Sequence, residues 1–363
     1  MRSGFRKKRD DLELKVESLF RKRNARKKAK IRLKRMNGGY SCDQEYKDVV
    51  LPYWKKYGYK PAKIWYQIFC DSDQKMDPRY IPDDLFYGEM VPYFSNSQFR
   101  RFGEDKCYHD IWLPNVRRPE TICKNIACVF YDKDMNLISV DDAVAACMAY
   151  KDEFLIKPSI DSGEGRLIQF FTPGTFTEHD IRAAFQSMGA NYIVQAAVKQ
   201  HPDLARLNPS SLNTVRVVSL FFEGEVHILS CILRMGATGA KVDNIGAGGF
   251  ACPIQESGWL NARGVNRKAE WREENQNGIK FKDVCVPSYE KVINAVKDSH
   301  KRLAHFKLIG WDFAVDTDGE PVMIEYNTCP GANQVTCGPT FGDITEKVLD
   351  EFFLNRTLKD AQN

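Results

Sequence analysis

The chain has 363 residues and a formal net charge of +5, with 43% hydrophobic, 28% charged and 12% aromatic residues. That balance excludes a mostly disordered chain and gives enough length for two or three lobes. No run of roughly 18 apolar residues could cross a membrane as a helix, and no apolar stretch follows the basic N-terminus as a secretory signal would require.

Eleven cysteines without a C-x-x-C pair or a zinc spacing read as reduced thiols of a cytoplasmic protein. The six histidines (109, 179, 201, 227, 300, 305) also lack a metal-binding spacing. Charge is unevenly spread: residues 1–36 hold 16 Lys/Arg and 4 Asp/Glu, and the remainder is net −7. Residues 10–36 lack Gly and Pro and stop at Asn37-Gly38-Gly39, which predicts a helix. Leu12, Val16, Leu19 and Phe20 share one of its faces. Such an arm (1–39) could meet an anionic membrane surface or an acidic polymer, or be a solvated or partner-docking helix. No nucleic-acid-binding motif accompanies it, so no specific nucleic acid is expected.

Residues 40–125, with aromatics, prolines and short apolar runs, read as a mixed accessory lobe. Ile126–Tyr131 and Met135–Val140 read as a strand pair about Asp132-Lys133-Asp134, leading to a helix through Tyr150. Phe154–Lys157 and Arg166–Phe171 are expected strands around a loop at 158–165. A helix over Thr177–Met188 and a strand over Asn191–Val198 follow. Thr214–Phe222 and Val226–Met235 flank a Glu223-Gly224-Glu225 turn. A helix is expected over 288–304, a last hairpin over Ile309–Asp316 and Pro321–Asn327, and a helix from about 342 to 356. Helices alternating with antiparallel hairpins make the class α+β.

The last hairpin is the most informative segment. Asp318-Gly319 predicts a two-residue turn, which sets Val315 opposite Val322, Phe313 opposite Ile324, and Asp312 opposite Glu325. Alternation then puts Phe313, Val315, Val322, Ile324 and Tyr326 on a core face and Asp312, Glu325 and Asn327 on the other. Opposed carboxylates repel unless a cation lies between them. Two carboxylates and an amide oxygen suit Mg²⁺ shared with substrate phosphates; a solvated acidic edge is the alternative.

Lys157 closes an apolar strand, where its charge needs a partner. The loop after it carries Ser159, Ser162, Gly163 and Gly165, whose hydroxyls and backbone N–H groups could cradle a phosphate. It is neither a Walker A loop nor a dinucleotide fingerprint, and an ordinary Gly/Ser turn is the alternative. Arg216 among Val215, Val217 and Val218, and Arg234 at a strand end, mark either an anion site or internal salt bridges. Asn244, Gly248 and Gly249 could line a substrate pocket or form a plain glycine loop.

The order of strand lysine, Gly/Ser loop, hinge, arginine strand and Asp…Glu-x-Asn resembles the ATP-grasp superfamily. Gly310-Trp311-Asp312 through Glu325-Tyr326-Asn327-Thr328-Cys329-Pro330-Gly331 is similar to the metal segment of D-alanine–D-alanine ligases. Ser211-Leu212-Asn213-Thr214-Val215-Arg216 and Val242–Gly249 resemble stretches of the sugar-transfer-associated ATP-grasp family. The resemblance implies an ATP-grasp fold, with a small lobe at 126–200, a large lobe at 201–357 and a tail at 358–363. It implies Asp312, Glu325 and Asn327 as Mg²⁺ ligands, and Lys106 and Lys157 as nucleotide lysines. Ser162, Gly163 and Gly165 match the phosphate-covering loop, and Gln195, Ala197 and Val198 the adenine hinge. Arg216 matches the arginine that stabilises the transferring phosphoryl group. The function implied is an ATP- and Mg²⁺-dependent ligase joining a carboxylate substrate to an amine, with sugar acids of surface polysaccharides as one substrate class. A kinase on the same fold, or a scaffold binding an acidic polymer, are the alternatives. A cytoplasmic place is expected, peripheral at the inner membrane face if the arm binds lipid.

Overall fold

The computed structural model describes residues 2–70, 76–160, 167–237, 239 and 249–361, with side chains over the part of these between 12 and 354. The basic segment forms one long helix, α1 (Arg2–Arg35). It does not stand free. Ala25 and Ala29 are buried, Lys22 pairs with Glu89 at 2.6 Å, and Arg26 pairs with Asp84 at 2.8 Å. The accessory lobe beneath it is helical among the described residues rather than mixed. Its helices at 43–55 and 83–94 each widen into a π turn, at Tyr46–Val50 and Phe86–Met90. Each π turn precedes a proline, Pro52 or Pro92, in the first turn of the next segment. A proline has no N–H to continue an α-helical ladder, and a local wider turn relieves the clash.

The small lobe holds β1 (Thr121–Ile126), β2 (Val129–Tyr131), β3 (Leu137–Ile138), β4 (Phe154–Pro158), β5 (Gln169–Phe171) and β6 (Tyr192–Ala196). They form one antiparallel sheet in the order β3-β2-β1-β6-β4-β5. The single strand expected over 126–131 is broken. Ala127 and Cys128 adopt φ of +50° and +68° and turn the chain between Ile126 and Val129. Consecutive left-handed residues build the tight hairpin turn that matches strand twist. Strand β1 therefore joins this sheet from the segment before residue 126. Strand β5 is also shorter than expected, because Leu167 takes φ +64° and strand pairing begins at Gln169.

Helices α2 (Val140–Ala149) and α3 (Glu178–Met188) close one face of the sheet. Both start in capping boxes, Ser139 with Asp142 and Thr177 with Asp180. In each, side chain and backbone satisfy one another's orphan donors. Val144, Cys147, Ile181 and Phe185 pack with Phe154, Ile156 and Val194 in one core.

The large lobe holds β7 (Thr214–Phe222), β8 (Glu225–Met235), β9 (Phe250–Pro253), β10 (Gly264–Asn266), β11 (Trp271–Arg272), β12 (Leu308–Val315) and β13 (Pro321–Asn327). Their order is β11-β10-β9-β8-β7-β12-β13. Helix α4 (Tyr289–His300) covers one face, where Val292 and Val296 meet Val215, Val217, Leu233 and Trp311. Val218, Leu220, Phe222 and Leu308 point the other way, into a core shared with the accessory lobe and helix α5 (Thr345–Ala361). The accessory lobe thus occupies part of the sheet face opposite α4.

The last hairpin differs from its expected register in two places. Its turn is three residues long: Asp316 N–H donates to Glu320 O at 3.0 Å and Gly319 takes φ +78°. Val315 therefore faces Pro321, Ala314 faces Val322 and Phe313 faces Met323. A bulge then inserts Ile324, and Asp312 faces Glu325 after all. The bulge turns Ile324 off the core face, and Met323 is buried in its place. A bulge commonly redirects side chains beside a functional site.

Lys124 on β1 is fully buried and donates to Asp110 Oδ2 at 2.5 Å. Lys124→Met would leave Asp110 without that partner and should cost about 3 kcal/mol. Adding Asp110→Leu should recover much of it, measured as urea midpoints of the two variants.

Candidate active site

A cavity of about 490 Å³ opens between the two sheets. Leu155, Lys157, Phe170, Gln195, Ala197 and Val198 line it from the small lobe, and Thr214, Arg234, Asp312, Ile324 and Glu325 from the large lobe. Lys106, from the segment joining the accessory lobe to β1, completes the wall.

The floor is a ladder of charges on adjacent strands. Arg216 on β7 stands opposite Asp312 on β12, and Asp312 stands opposite Glu325 on β13. Arg216 Nε and Nη2 donate to the two Asp312 oxygens at 2.5 and 2.6 Å. Arg234 Nη1, from β8, reaches the same carboxylate at 3.2 Å. Burial alone would raise the Asp312 carboxyl, but the Arg216 and Arg234 guanidiniums outweigh it and hold the group below its usual value. Two arginines on one carboxylate leave a net positive charge facing the cleft, as an anionic ligand requires.

Gly310 lets Pro330 close onto β12, while Arg216 would tolerate a side chain there. A Cβ there would sit 2.8 Å from Pro330 Cβ and 3.6 Å from Arg216 Cδ.

Glu325 pairs with Lys106 at 3.1 Å. Lys157 is buried in the same corner, and desolvation with the nearby Lys106 charge lowers its pKa to about 8 against the pull of Glu325. A phosphate between these lysines would reverse that shift. His109 stacks on Tyr326 at 4.6 Å. Burial drives its pKa well below the usual value, and Lys106 and Lys157 add to the effect, so it remains neutral.

The lysine segment is tied to β13 by contacts distant in sequence. Tyr326 Oη donates to Gly103 O, and Glu104 Oε1 accepts from Thr328 N and Oγ1 at 2.6 and 2.8 Å. The backbone N–H of Lys106 donates to Ser159 O at 3.0 Å. These bonds position Lys106 over Glu325. The sequence reading missed Gly310, Glu104, Ile324, Leu155 and Phe170. A glycine inside the strand two residues before Asp312 was the available signal for Gly310; the Glu104 contact left none.

Of the residues expected at the nucleotide site, Lys106, Lys157, Gln195, Ala197 and Val198 share the cavity wall. Gln195 is buried, its Nε2 directed at Pro119 O and Thr121 Oγ1, both at 3.4 Å. Ser159 lies outside that wall, fully buried against the Cys107 thiol. Ser162, Gly163, Gly165, Asn244 and Gly248 fall outside the described residues. Gly249 is buried just before β9.

Asn327 stands opposite Gly310, two residues beyond Glu325 on the same side of β13 and outside the cavity wall. Its amide oxygen and the two carboxylates are hard donors of the kind a small divalent cation takes. Among the described residues, no three His, Cys, Asp or Glu side chains gather at a possible metal site. The fit therefore depends on the mixed carboxylate and amide set, with remaining positions open to phosphate oxygens.

Two antiparallel sheets gripping a cationic cleft, each backed by helices, define an ATP-grasp fold. The chain belongs to the sugar-transfer associated ATP-grasp family, whose model matches residues 140–341. It is also similar to several solved structures. D-alanyl-alanine synthetase A of Vibrio cholerae is 15% identical, with a TM-score of 0.40 over 69% of this chain and 65% of that one. A D-alanine–D-alanine ligase of Bacillus anthracis complexed with ATP is 13% identical, with a TM-score of 0.37 over 71% and 66%. A D-cycloserine synthetase is 15% identical, with a TM-score of 0.42 over 70% and 71%. The chain thus spans just under two thirds of the first two. No curated protein matches the sequence.

Glu104→Ala should remove both bonds to Thr328 and destabilise the protein by about 1.5–3 kcal/mol, the range for hydrogen bonds to a charged group. Urea denaturation measures the loss; an unchanged midpoint would show that Glu104 does not anchor the loop after Asn327.

Proposed function

We propose that the protein is an ATP- and Mg²⁺-dependent carboxylate–amine ligase working through an acyl phosphate. The observation that carries this reading is the convergence of four cationic side chains on two opposed carboxylates in one interlobe cleft. Lys106, Lys157, Arg216 and Arg234 face Asp312 and Glu325. With Lys199 and Glu153, which also line the cavity, five cations stand against three carboxylates, an excess that suits a polyphosphate and a second anion together.

In this reading Lys157 and Lys106 hold the nucleotide phosphates, and the wall at Gln195, Ala197 and Val198 receives the base. Ser162, Gly163 and Gly165 would cover the phosphates. Asp312, Glu325 and Asn327 would hold Mg²⁺, which when bound supplies charge neutralisation at the transferring phosphoryl group. The substrate carboxylate oxygen forms a bond to the γ-phosphorus, and the bond to ADP breaks. The amine nitrogen then attacks the acyl carbon, phosphate leaves, and the amine loses a proton. Arg216 and Arg234 counter charge that develops on the phosphoryl oxygens and then on the acyl oxygen. None of these steps needs a nucleophilic side chain.

The arginines now bonded to Asp312 would turn to phosphate once a cation takes over that carboxylate. The family's association with sugar transfer supports a sugar acid or an amino sugar as one substrate. Asn244, Gly248 and Gly249 would lie towards that acceptor. The eleven thiols and the use of ATP support a cytoplasmic reaction.

A thermal melt with ATP and Mg²⁺ tests the nucleotide site. At a hundredfold excess over Kd the complex should gain about 2.7 kcal/mol. Asp312→Asn should abolish the metal-dependent part of the shift, and Arg216→Ala should lower turnover by about 10²–10³ without a comparable loss of nucleotide binding. No shift in folded wild-type protein would refute the site.

Lys157 supplies a second test. Its folded pKa of about 8 lies below the ordinary 10.5, so the unfolded chain binds more protons between those values. Stability should therefore rise with pH across that window. ATP binding restores the charge, so near pH 8 the complex should take up about half a proton, visible in calorimetry as a buffer-dependent enthalpy. Lys157→Met should remove both effects.

A further inference from the structure

Helix α1 presents two faces with different partners. Lys22, Ala25, Ala29 and Leu33 meet the accessory lobe. The opposite side carries a continuous line at positions 12, 16, 19, 23, 27, 30 and 34, at steps of four or three that stack on a helix surface. The first half of this line is apolar: Leu12, Val16 and Leu19, with Phe20 beside them, are 59–70% exposed. The second half is wholly cationic: Arg23, Lys27, Lys30 and Lys34 are all exposed. The acidic residues of the helix, Asp10, Asp11, Glu13 and Glu17, lie off the line.

We propose that this face of α1 docks on an anionic lipid bilayer surface, with Leu12, Val16, Leu19 and Phe20 entering the headgroup boundary and Arg23, Lys27, Lys30 and Lys34 lying on the lipid phosphates. Three features favour that occupant. The helix is 34 residues long, about 50 Å, and its second half, from Lys22 to Leu33, is held on one side by the body of the protein, so it offers a straight edge to a flat surface. Its apolar and cationic halves follow one another on a single face, as an interfacial helix requires. A second copy fits less well: parallel pairing along this line would set Arg23, Lys27, Lys30 and Lys34 against their equivalents. No described helix is long and apolar enough to cross a membrane. Attachment is therefore peripheral, and it is independent of the nucleotide site.

Sedimentation of the full chain with phosphatidylcholine vesicles, with and without an equal part of phosphatidylglycerol, tests the proposal. The expected result is binding to the anionic vesicles only. Each lysine neutralised should weaken it by roughly fivefold, the equivalent of about 1 kcal/mol per charge at the surface. Lys27→Gln with Lys30→Gln should thus lose about 25-fold. Leu19→Asp with Phe20→Asp should lose at least about tenfold by removing the inserted half. All four positions are exposed, and unchanged melting and an unchanged ATP–Mg²⁺ shift would show that the body is intact. Equal binding to neutral vesicles, undiminished binding by both variants, or binding to soluble polygalacturonate without binding to vesicles would each overturn the proposal. So would a dimer, abolished by Leu19→Asp with Phe20→Asp, in protein that ignores vesicles.

Discussion

The Asp312 carboxylate, buried and held by two arginines, is the constraint around which the large lobe is arranged. An ionised carboxylate out of water is costly unless it is paired and hydrogen-bonded. Here Arg216 supplies a two-pronged bond from the neighbouring strand and Arg234 a third contact from the strand beyond. Meeting that need fixes the register of β8, β7 and β12 against one another. Any slip would separate these charges. Glu325 adds a second carboxylate from β13, and its pairing with Lys106 extends the network to the accessory lobe. One electrostatic requirement therefore links four strands and the segment leading into the small lobe.

The same network gives the cleft its chemical character. Its carboxylates are engaged by side-chain cations, so each can pass to a metal only as a cation moves elsewhere. In the proposed function, phosphate oxygens would receive those displaced cations. The cluster is thus organised for exchange between ionic partners. The buried Lys157, with a pKa of about 8, is the member least satisfied by the protein itself. Its cost is borne by folding, and in the proposed function an arriving anion would return it.

Much of this was legible in the sequence, in part through compensating differences. Opposition of Asp312 and Glu325 was expected from a two-residue turn. The protein has a three-residue turn, and the Ile324 bulge shifts the register back by one. Local turn signals report the presence of a hairpin well and its residue count poorly, because Gly319 serves either turn. The break at Ala127-Cys128 was hidden because neither residue type favours left-handed backbone; sheet pairing on both sides imposes it. The basic segment was read as a helix, but its docking through Ala25 and Ala29 was not, since two small residues carry no signal until a partner helix faces them.

The sequence by itself determined the hydrophobic periodicity, the hairpins with their turn residues, the capped helices and the identity of the charged side chains. Those features arise from interactions within about four residues, or across a turn, and so are written locally. Tertiary structure alone decided that Arg216 and Arg234 share Asp312, that Lys106 meets Glu325, and that Glu104 anchors Thr328. These contacts join segments from 78 to 224 residues apart. A buried charge selects its partner by three-dimensional proximity and desolvation, and neither is expressed in the spacing of residues along the chain.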